Sequence, residues 1–294
     1  MRRIPTIDTK GNGMTQVQQL DVLVVGGGPA GSTLAWGLRD SGLRVGILDK
    51  ASFPRDKVCA GWVTPAVMQE LEIDLDDYSS SRTLQPITGF RASLTGGEQI
   101  ESRYVGDPVS YGIRRYEYDD YLLHRSAAEV LAGQPFKTMQ KRDQGWLVNE
   151  HIETRLLVGA GGHSCPVARA IGARPVQENQ VVLAQEIEFL LTPEQQDACK
   201  IDPQIPELFF EPDLSGYGWV FRKGDYLNVG LGREDKHNLP EHAQTFCRYL
   251  KKMGKIPVDA PEKWHGHAYI LYPHAKRKLF KDNILFIGDA AGLA

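Results

Sequence analysis

The stretch Leu20–Lys50, LDVLVVGGGPAGSTLAWGLRDSGLRVGILDK, constrains this chain more than any other. It opens on an apolar run, Val22–Val25, that reads as a buried strand. Gly26, Gly28 and Gly31 follow in the G-x-G-x-x-G spacing. The pattern predicts a helix over about Ala30–Ser41, with Leu34, Ala35 and Leu38 on one face and Gly42 ending it, then a second strand, Val45–Leu48, that delivers Asp49. Each part has a physical task. Gly26 permits a tight turn, Gly28 lets backbone approach a pyrophosphate, and Gly31 allows the helix to pack closely on the sheet. The helix N-terminus offers unpaired N–H groups and partial positive charge. Asp49, 18 residues beyond Gly31, can accept hydrogen bonds from ribose hydroxyls. A carboxylate there disfavours a ribose 2′-phosphate, so NAD or FAD fits better than NADP. Gly26, Gly28, Pro29, Ala30, Gly31, Asp49 and Lys50 are therefore the candidate cofactor residues of this unit.

A strand–turn–helix–strand unit uses a small part of 294 residues, enough for one large domain or two smaller ones. Hydrophobic residues at 41% and charged residues at 24% can bury a core. A net charge of -3 gives no reason to expect nucleic-acid binding. No apolar run reaches membrane-spanning length, though peripheral membrane contact stays open. Cys59, Cys165, Cys199 and Cys247 lie far apart, without metal-ligand or disulfide-framework spacing, which points to a reduced, cytoplasmic setting. Residues 1–19 read as a polar, disordered leader, with Met14 an alternative start.

Further along, Arg55 and Lys57 place positive charge just after the nucleotide unit, either as a solvated loop or as a loop over the phosphates or a ring. Pro86–Tyr104 suggests short strands around a Gly96-Gly97 turn, and Tyr111–Ile113 another strand. Tyr116–Val130 is expected as a helix with Tyr118, Leu122, Leu123 and Ala127 inward. Gly145–Leu147 and Thr154–Leu157 look like a strand pair, the second running into the glycine cluster Gly159-Ala160-Gly161-Gly162, where backbone can again approach a ligand. From about Gln177 the pattern turns to successive strands without helices between them, which implies an antiparallel sheet. Its clearest hairpin joins Gly218–Phe221 to Tyr226–Leu231 through Lys223-Gly224-Asp225. Leu239–Gly254 follows as one amphipathic helix. His265 and His267, flanking Gly266, lack an evident third metal ligand. A last strand, Asn283–Ile287, delivers Gly288-Asp289. The fold class expected is α/β: a Rossmann-like domain with a parallel sheet and helices, plus an α+β substrate domain with an antiparallel sheet.

Together these motifs resemble the geranylgeranyl reductase family of FAD-dependent oxidoreductases, within the p-hydroxybenzoate hydroxylase-like flavoproteins. The resemblance rests on Asp21–Asp49, the block Phe53–Gly61, Arg114-Arg115 with Tyr118-Asp119, and Gly288–Gly292. It implies that Gly26, Gly28, Gly31 and Asp49 hold the ADP half of FAD, and that Arg115 contacts its side of the cleft. It further implies that Asp289 bonds the ribityl chain, and that Cys59, Ala60 and Gly61 lie near the isoalloxazine. Lys57, Gly159, Ala160, Gly161 and Gly288 complete the expected cofactor set. Tyr217, Trp219 and Phe221 would line an apolar pocket, with Cys59 and Tyr217 the catalytic candidates. The expected domains are 20–85, 105–175 and 275–294 for FAD, and 86–104 and 176–274 for substrate.

Three departures from the family's pattern stand out: Gly161-Gly162 replaces an Asp-Gly, Phe221-Arg222 replaces Phe-Pro, and members continue well past the Gly-Asp turn, so the chain is expected to be shortened at its C-terminus. With no second G-x-G-x-x-G, NAD(P)H must visit the flavin transiently, or a reduced carrier must supply electrons. The implied activity is reduction of C=C bonds in a hydrophobic, isoprenoid-like small molecule. The alternatives are a flavin monooxygenase or halogenase-like enzyme, or a shortened FAD-binding protein without activity. Oligomeric state is not legible.

Overall fold

The computed structural model describes residues 17–173, 181–234, 238–270 and 279–293. Met14, most of the leader and the basic end of the 271–278 segment lie outside them. The first strand, Gln18–Val25, starts inside the expected leader: Gln18 and Gln19 already pair with Ile152 and Glu153. That strand is the centre of an eight-stranded sheet. Ile152–Gly159 and Val45–Leu48 flank it, both parallel, with Ile284–Phe286 and Glu129–Leu131 outside them, also parallel. Alternate residues explain why the run is apolar throughout. Leu23 and Val25 pack into one core with Leu157 and Phe286, while Val22 and Val24 pack into another with Ala35 and Ile47. A parallel sheet buried on both faces needs this continuous apolar character.

The strand ends set up one edge. Val25, Leu48, Gly159 and Phe286 all finish on the same side, so the segments that follow them meet there. The glycine helix runs Pro29–Gly37, and the chain turns through Leu38–Ser41 before Gly42 at φ +74°. Gly31 is required at its position because a Cβ would run into the Gly26 carbonyl oxygen.

The expected helix Tyr116–Val130 is corrected. It runs Arg115–His124, and Glu129–Leu131 is the outer parallel strand. Ser126 Oγ donates to the Leu123 carbonyl and Ala127 adopts φ +56°, which turns the chain out of the helix. Ala127 is exposed rather than inward. Its neighbours are apolar enough to mimic helical periodicity, but Val130 serves the sheet.

The second sheet has seven strands in the order His265–Ile270, Val181–Leu190, Tyr226–Arg233, Gly216–Lys223, Glu207–Phe210, Gly89–Leu94 and Ile100–Arg103. The expected antiparallel arrangement needs one amendment: Glu207–Phe210 and Gly89–Leu94 pair in parallel, because the chain reaches them from distant segments. The helix Leu239–Lys252 covers one face, its Phe246 ring seated over Gly218, where any side chain would collide with it. The other face carries Tyr217, Trp219 and Phe221. A small antiparallel sheet of Trp62–Val63, Ser110–Ile113 and Leu84–Ile87 packs against the strand Gly216–Lys223.

Candidate active site

The edge where the parallel strands end forms the floor of a cavity of about 860 Å³. Such crevices outside the carboxyl ends of parallel strands are where α/β sheets bind nucleotides. Of the expected residues, Gly26, Gly28, Pro29, Ala30, Asp49, Lys50, Lys57, Cys59, Arg115, Ala160, Gly161 and Asp289 line it. Gly31, Gly159 and Gly288 act one layer behind. Gly31 lets the helix approach, and Gly159 leaves space that the Phe286 ring takes up. Gly288, at φ +58°, passes close to Ala30, whose Cβ would be 2.7 Å from any Cβ there.

Asp49 is oriented by its own loop. Its Oδ2 accepts the Gly27 N–H at 2.7 Å and its Oδ1 the Ala51 N–H at 2.8 Å. A carboxylate has about four lone-pair positions, so acceptor capacity remains for ribose hydroxyls. On the opposite wall Asp119, fully buried, holds two guanidinium groups. Arg115 meets it with Nε and Nη2 at 2.6 and 2.8 Å, and Arg55 Nη2 lies 3.1 Å away. Burial opposes the Arg115 charge, but the Asp119 bonds more than offset it and push its pKa above the ordinary value. The Cys59 sulfur lies on the same side.

Arg55 supplies the test of fit for a dinucleotide. Its Nη1 is buried without an acceptor, its guanidinium lies over the Phe53 ring at 4.7 Å, and its Nη2 would be 3.6 Å from a Cβ on Gly28. A buried guanidinium N–H lacking an acceptor is costly. The Nη2 side of this guanidinium lies by the glycine turn and the helix N-terminus, where a positive group suits a phosphate. The residues present therefore fit FAD.

Sequence reasoning missed or under-read several groups here. His267, weighed only as a metal ligand, lines the cavity, and Lys57 Nζ lies 3.1 Å from its Nδ1. An ammonium only donates, so Nδ1 accepts. Burial, then the Lys57 charge, holds His267 down at about 4. Burial, then Arg115, lowers Lys57 as well. Among the described residues no group of three or more His, Cys, Asp or Glu side chains gathers as metal ligands.

Ala60 and Gly61 do not line the cavity. Ala60 packs against Ala184, Trp219 and Phe221 of the second sheet, and Gly61 takes φ +67° beneath Ile113 and Lys223. The aromatic trio is also placed differently from the expected pocket wall. Phe221 is fully buried, and Trp219 is buried with its indole N–H donating to Asn228 Oδ1 at 2.7 Å. Tyr217 is 41% exposed and stacks on Phe210 and Trp219, away from the residues lining the cavity. Sheet alternation put all three on one face, but how far that face is covered depends on the loop Lys57–Gly61 lying across it.

A family model for an NAD(P)-binding Rossmann-like domain matches residues 24–64. The chain is 30% identical over 293 residues to a geranylgeranyl diphosphate reductase of Rhodobacter capsulatus, covering 93% of this chain and 68% of that protein. It is 27% identical over 293 residues to digeranylgeranylglycerophospholipid reductase 1 of Methanopyrus kandleri, covering 93% and 74%. The crystal structure of a geranylgeranyl bacteriochlorophyll reductase-like protein of Thermoplasma acidophilum superposes with a TM-score of 0.79 at 22% identity, over 94% of this chain and 72% of that one, which speaks for the fold. With the glycine unit, the cavity and these relatives in agreement, the chain belongs to the geranylgeranyl reductase family of FAD-dependent oxidoreductases.

Proposed function

We propose that this protein reduces C=C bonds of an isoprenoid-like hydrophobic small molecule. The observation that carries the reading is the wall shared by the cofactor cavity and the second sheet. Cys59 lines the cavity, and the next residue, Ala60, packs into an apolar cluster with Ala184, Trp219, Phe221 and Leu208. An alkene with no polar handle needs an apolar surface beside the cofactor, and relatives over nine-tenths of this chain are named for geranylgeranyl substrates.

FAD, when bound, supplies hydride chemistry. The chain's own residues bind, orient and exclude water. Gly26, Gly28 and the N-terminus of the helix Pro29–Gly37 would receive the pyrophosphate, with the Arg55 guanidinium beside the turn, and Asp49 would take the ribose. Asp119 fixes Arg55 and Arg115 so that neither collapses into the cavity. The loop Cys59–Gly61 lies between the cavity and the aromatic face, and Cys59, which lines the cavity, remains the proposed catalytic candidate, whereas Tyr217 does not line it. In this reading the parallel sheet carries cofactor and the seven-stranded sheet carries substrate. NAD(P)H or a reduced carrier supplies electrons. We also assign the protein to the cytoplasm, which its four unpaired cysteines favour; among the described residues no helix is long and apolar enough to cross a membrane.

The test is anaerobic. Purified protein loaded with FAD and reduced with dithionite is mixed with geranylgeranyl diphosphate, and products are resolved by mass spectrometry. Products heavier by two hydrogens per bond are expected. No saturated product from any polyprenyl substrate, with oxygen-dependent hydroxylation of another substrate instead, would replace this reading with a monooxygenase.

A further inference from the structure

The segment Lys57–Gly61 lies in neither helix nor strand, yet its first three residues form a wall of the cofactor cavity. Its position is set from outside. Three strands of the second sheet each hold one of its residues. His267, on His265–Ile270, meets Lys57 Nζ at 3.1 Å. Glu186, on Val181–Leu190, accepts the Cys59 N–H on Oε1 at 2.5 Å. Lys223, fully buried at the end of Gly216–Lys223, donates to the Ala60 carbonyl at 2.9 Å and to the Ile113 carbonyl at 3.0 Å. The segment is thus a strap laid across the sheet, with Glu186 at its middle anchor.

Glu186 is the anchor least explained by packing. It is 6% exposed on the face that also carries Ala184, and its partners in register are Gly230 and His265. Burial pushes its pKa up, against the Cys59 N–H bond and the nearby Lys223 charge, which favour the carboxylate. Burying a carboxyl at 6% exposure is unfavourable unless it makes bonds that an apolar side chain cannot. The Cys59 N–H is the first of these bonds, and the Asn228 side chain supplies a second.

We infer that Glu186 is a positioning residue of the cofactor site: by accepting the Cys59 N–H it holds the strap Lys57–Gly61 at the height that lets FAD seat. This rests on the cavity taking FAD, and is independent of which alkene the protein reduces. Through the strap, the sheet proposed to carry substrate is tied to the cofactor wall, with the Glu186 bond between the Lys57 and Ala60 anchors.

The test compares Glu186→Gln, which keeps an acceptor of the same shape, with Glu186→Leu, which removes it; Glu186→Ala substitutes for the leucine variant if that does not fold. Two readouts need no substrate. In full-length apoprotein, alkylation of Cys59 by iodoacetamide is followed by peptide mass spectrometry, with Cys199 as internal reference. In reconstituted protein, FAD affinity and the flavin absorption spectrum are measured. Leaving the Cys59 N–H without its acceptor is expected to raise the Cys59-to-Cys199 alkylation ratio about tenfold, to weaken FAD binding about tenfold and to broaden the flavin bands. The glutamine variant is expected to stay within about threefold of wild type on both counts, with the wild-type spectrum. The inference is overturned if the leucine or alanine variant keeps wild-type affinity, spectrum and alkylation ratio, or if the glutamine variant fails as they do. Absence of alkene reduction in every variant, wild type included, would count against the substrate reading alone, since neither readout uses an alkene.

Discussion

Asp119 Oδ2 lies 3.1 Å from Arg55 Nη2, a contact that joins the helix Arg115–His124 to a loop sixty-odd positions earlier with no exposed carboxylate surface. The same carboxylate holds Arg115 in two hydrogen bonds. Asp119→Ala removes the shared acceptor and leaves two guanidinium groups facing each other. Breaking a buried pair in this way costs about 3–5 kcal/mol. Urea denaturation of the two proteins should show a midpoint loss of that size, and a loss below about 1 kcal/mol would mean that water replaces Asp119.

Arg55→Gln tests the phosphate contact rather than the fold. Asp119 loses its Arg55 Nη2 contact in this variant but keeps both hydrogen bonds from Arg115. A hydrogen bond to a charged group contributes about 1.5–3 kcal/mol, so FAD should bind roughly tenfold to a hundredfold more weakly. Riboflavin, which lacks the pyrophosphate, should bind both proteins alike in the same fluorescence titration.

Gly31→Ala places a methyl group against the Gly26 carbonyl oxygen. Accommodating it forces the helix away from the turn, at an overpacking cost of about 1–3 kcal/mol. Thermal unfolding should report that loss, and FAD retention through gel filtration should fall with it. Gly37→Ala, where a Cβ meets nothing within 4 Å, is the control and should leave both unchanged.

His267 makes stability depend on pH in a defined window. Its folded pKa of about 4 lies below the ordinary histidine value of 6.5 because burial and Lys57 oppose the imidazolium. Between those values the unfolded chain binds the proton more readily, so stability is fully present above about pH 6.5 and falls as the pH drops towards 4. His267→Gln should flatten that part of the profile, measured by urea denaturation at pH 7 and pH 5. An unchanged slope would assign the effect to other groups.

Some of this molecule was legible because its determinants are close in sequence. Gly26, Gly28, Gly31 and Asp49 act within one strand–turn–helix–strand unit, so their spacing carries the geometry. The turn at Lys223-Gly224-Asp225 and the helix ended by Gly254 at φ +64° are equally local. Val130 shows where locality misleads: its apolar character continues a helical pattern, but its partner is Ile47, in another strand.

The chain's sequence by itself determined the cofactor class, because backbone conformation and the acid after the second strand depend on neighbouring residues alone. Only the tertiary structure decided which side chains complete the site. Lys57 and His267 are 210 positions apart, Ala60 and Lys223 163, and Cys59 and Glu186 127. These pairings come from the register of the second sheet and from a strap crossing it. No local pattern distinguishes Glu186 from Glu188 of the same strand, or Lys223 from an ordinary turn lysine. Their roles arise from burial, which removes water as a partner and makes a few hydrogen bonds between distant segments decide where the cofactor wall stands.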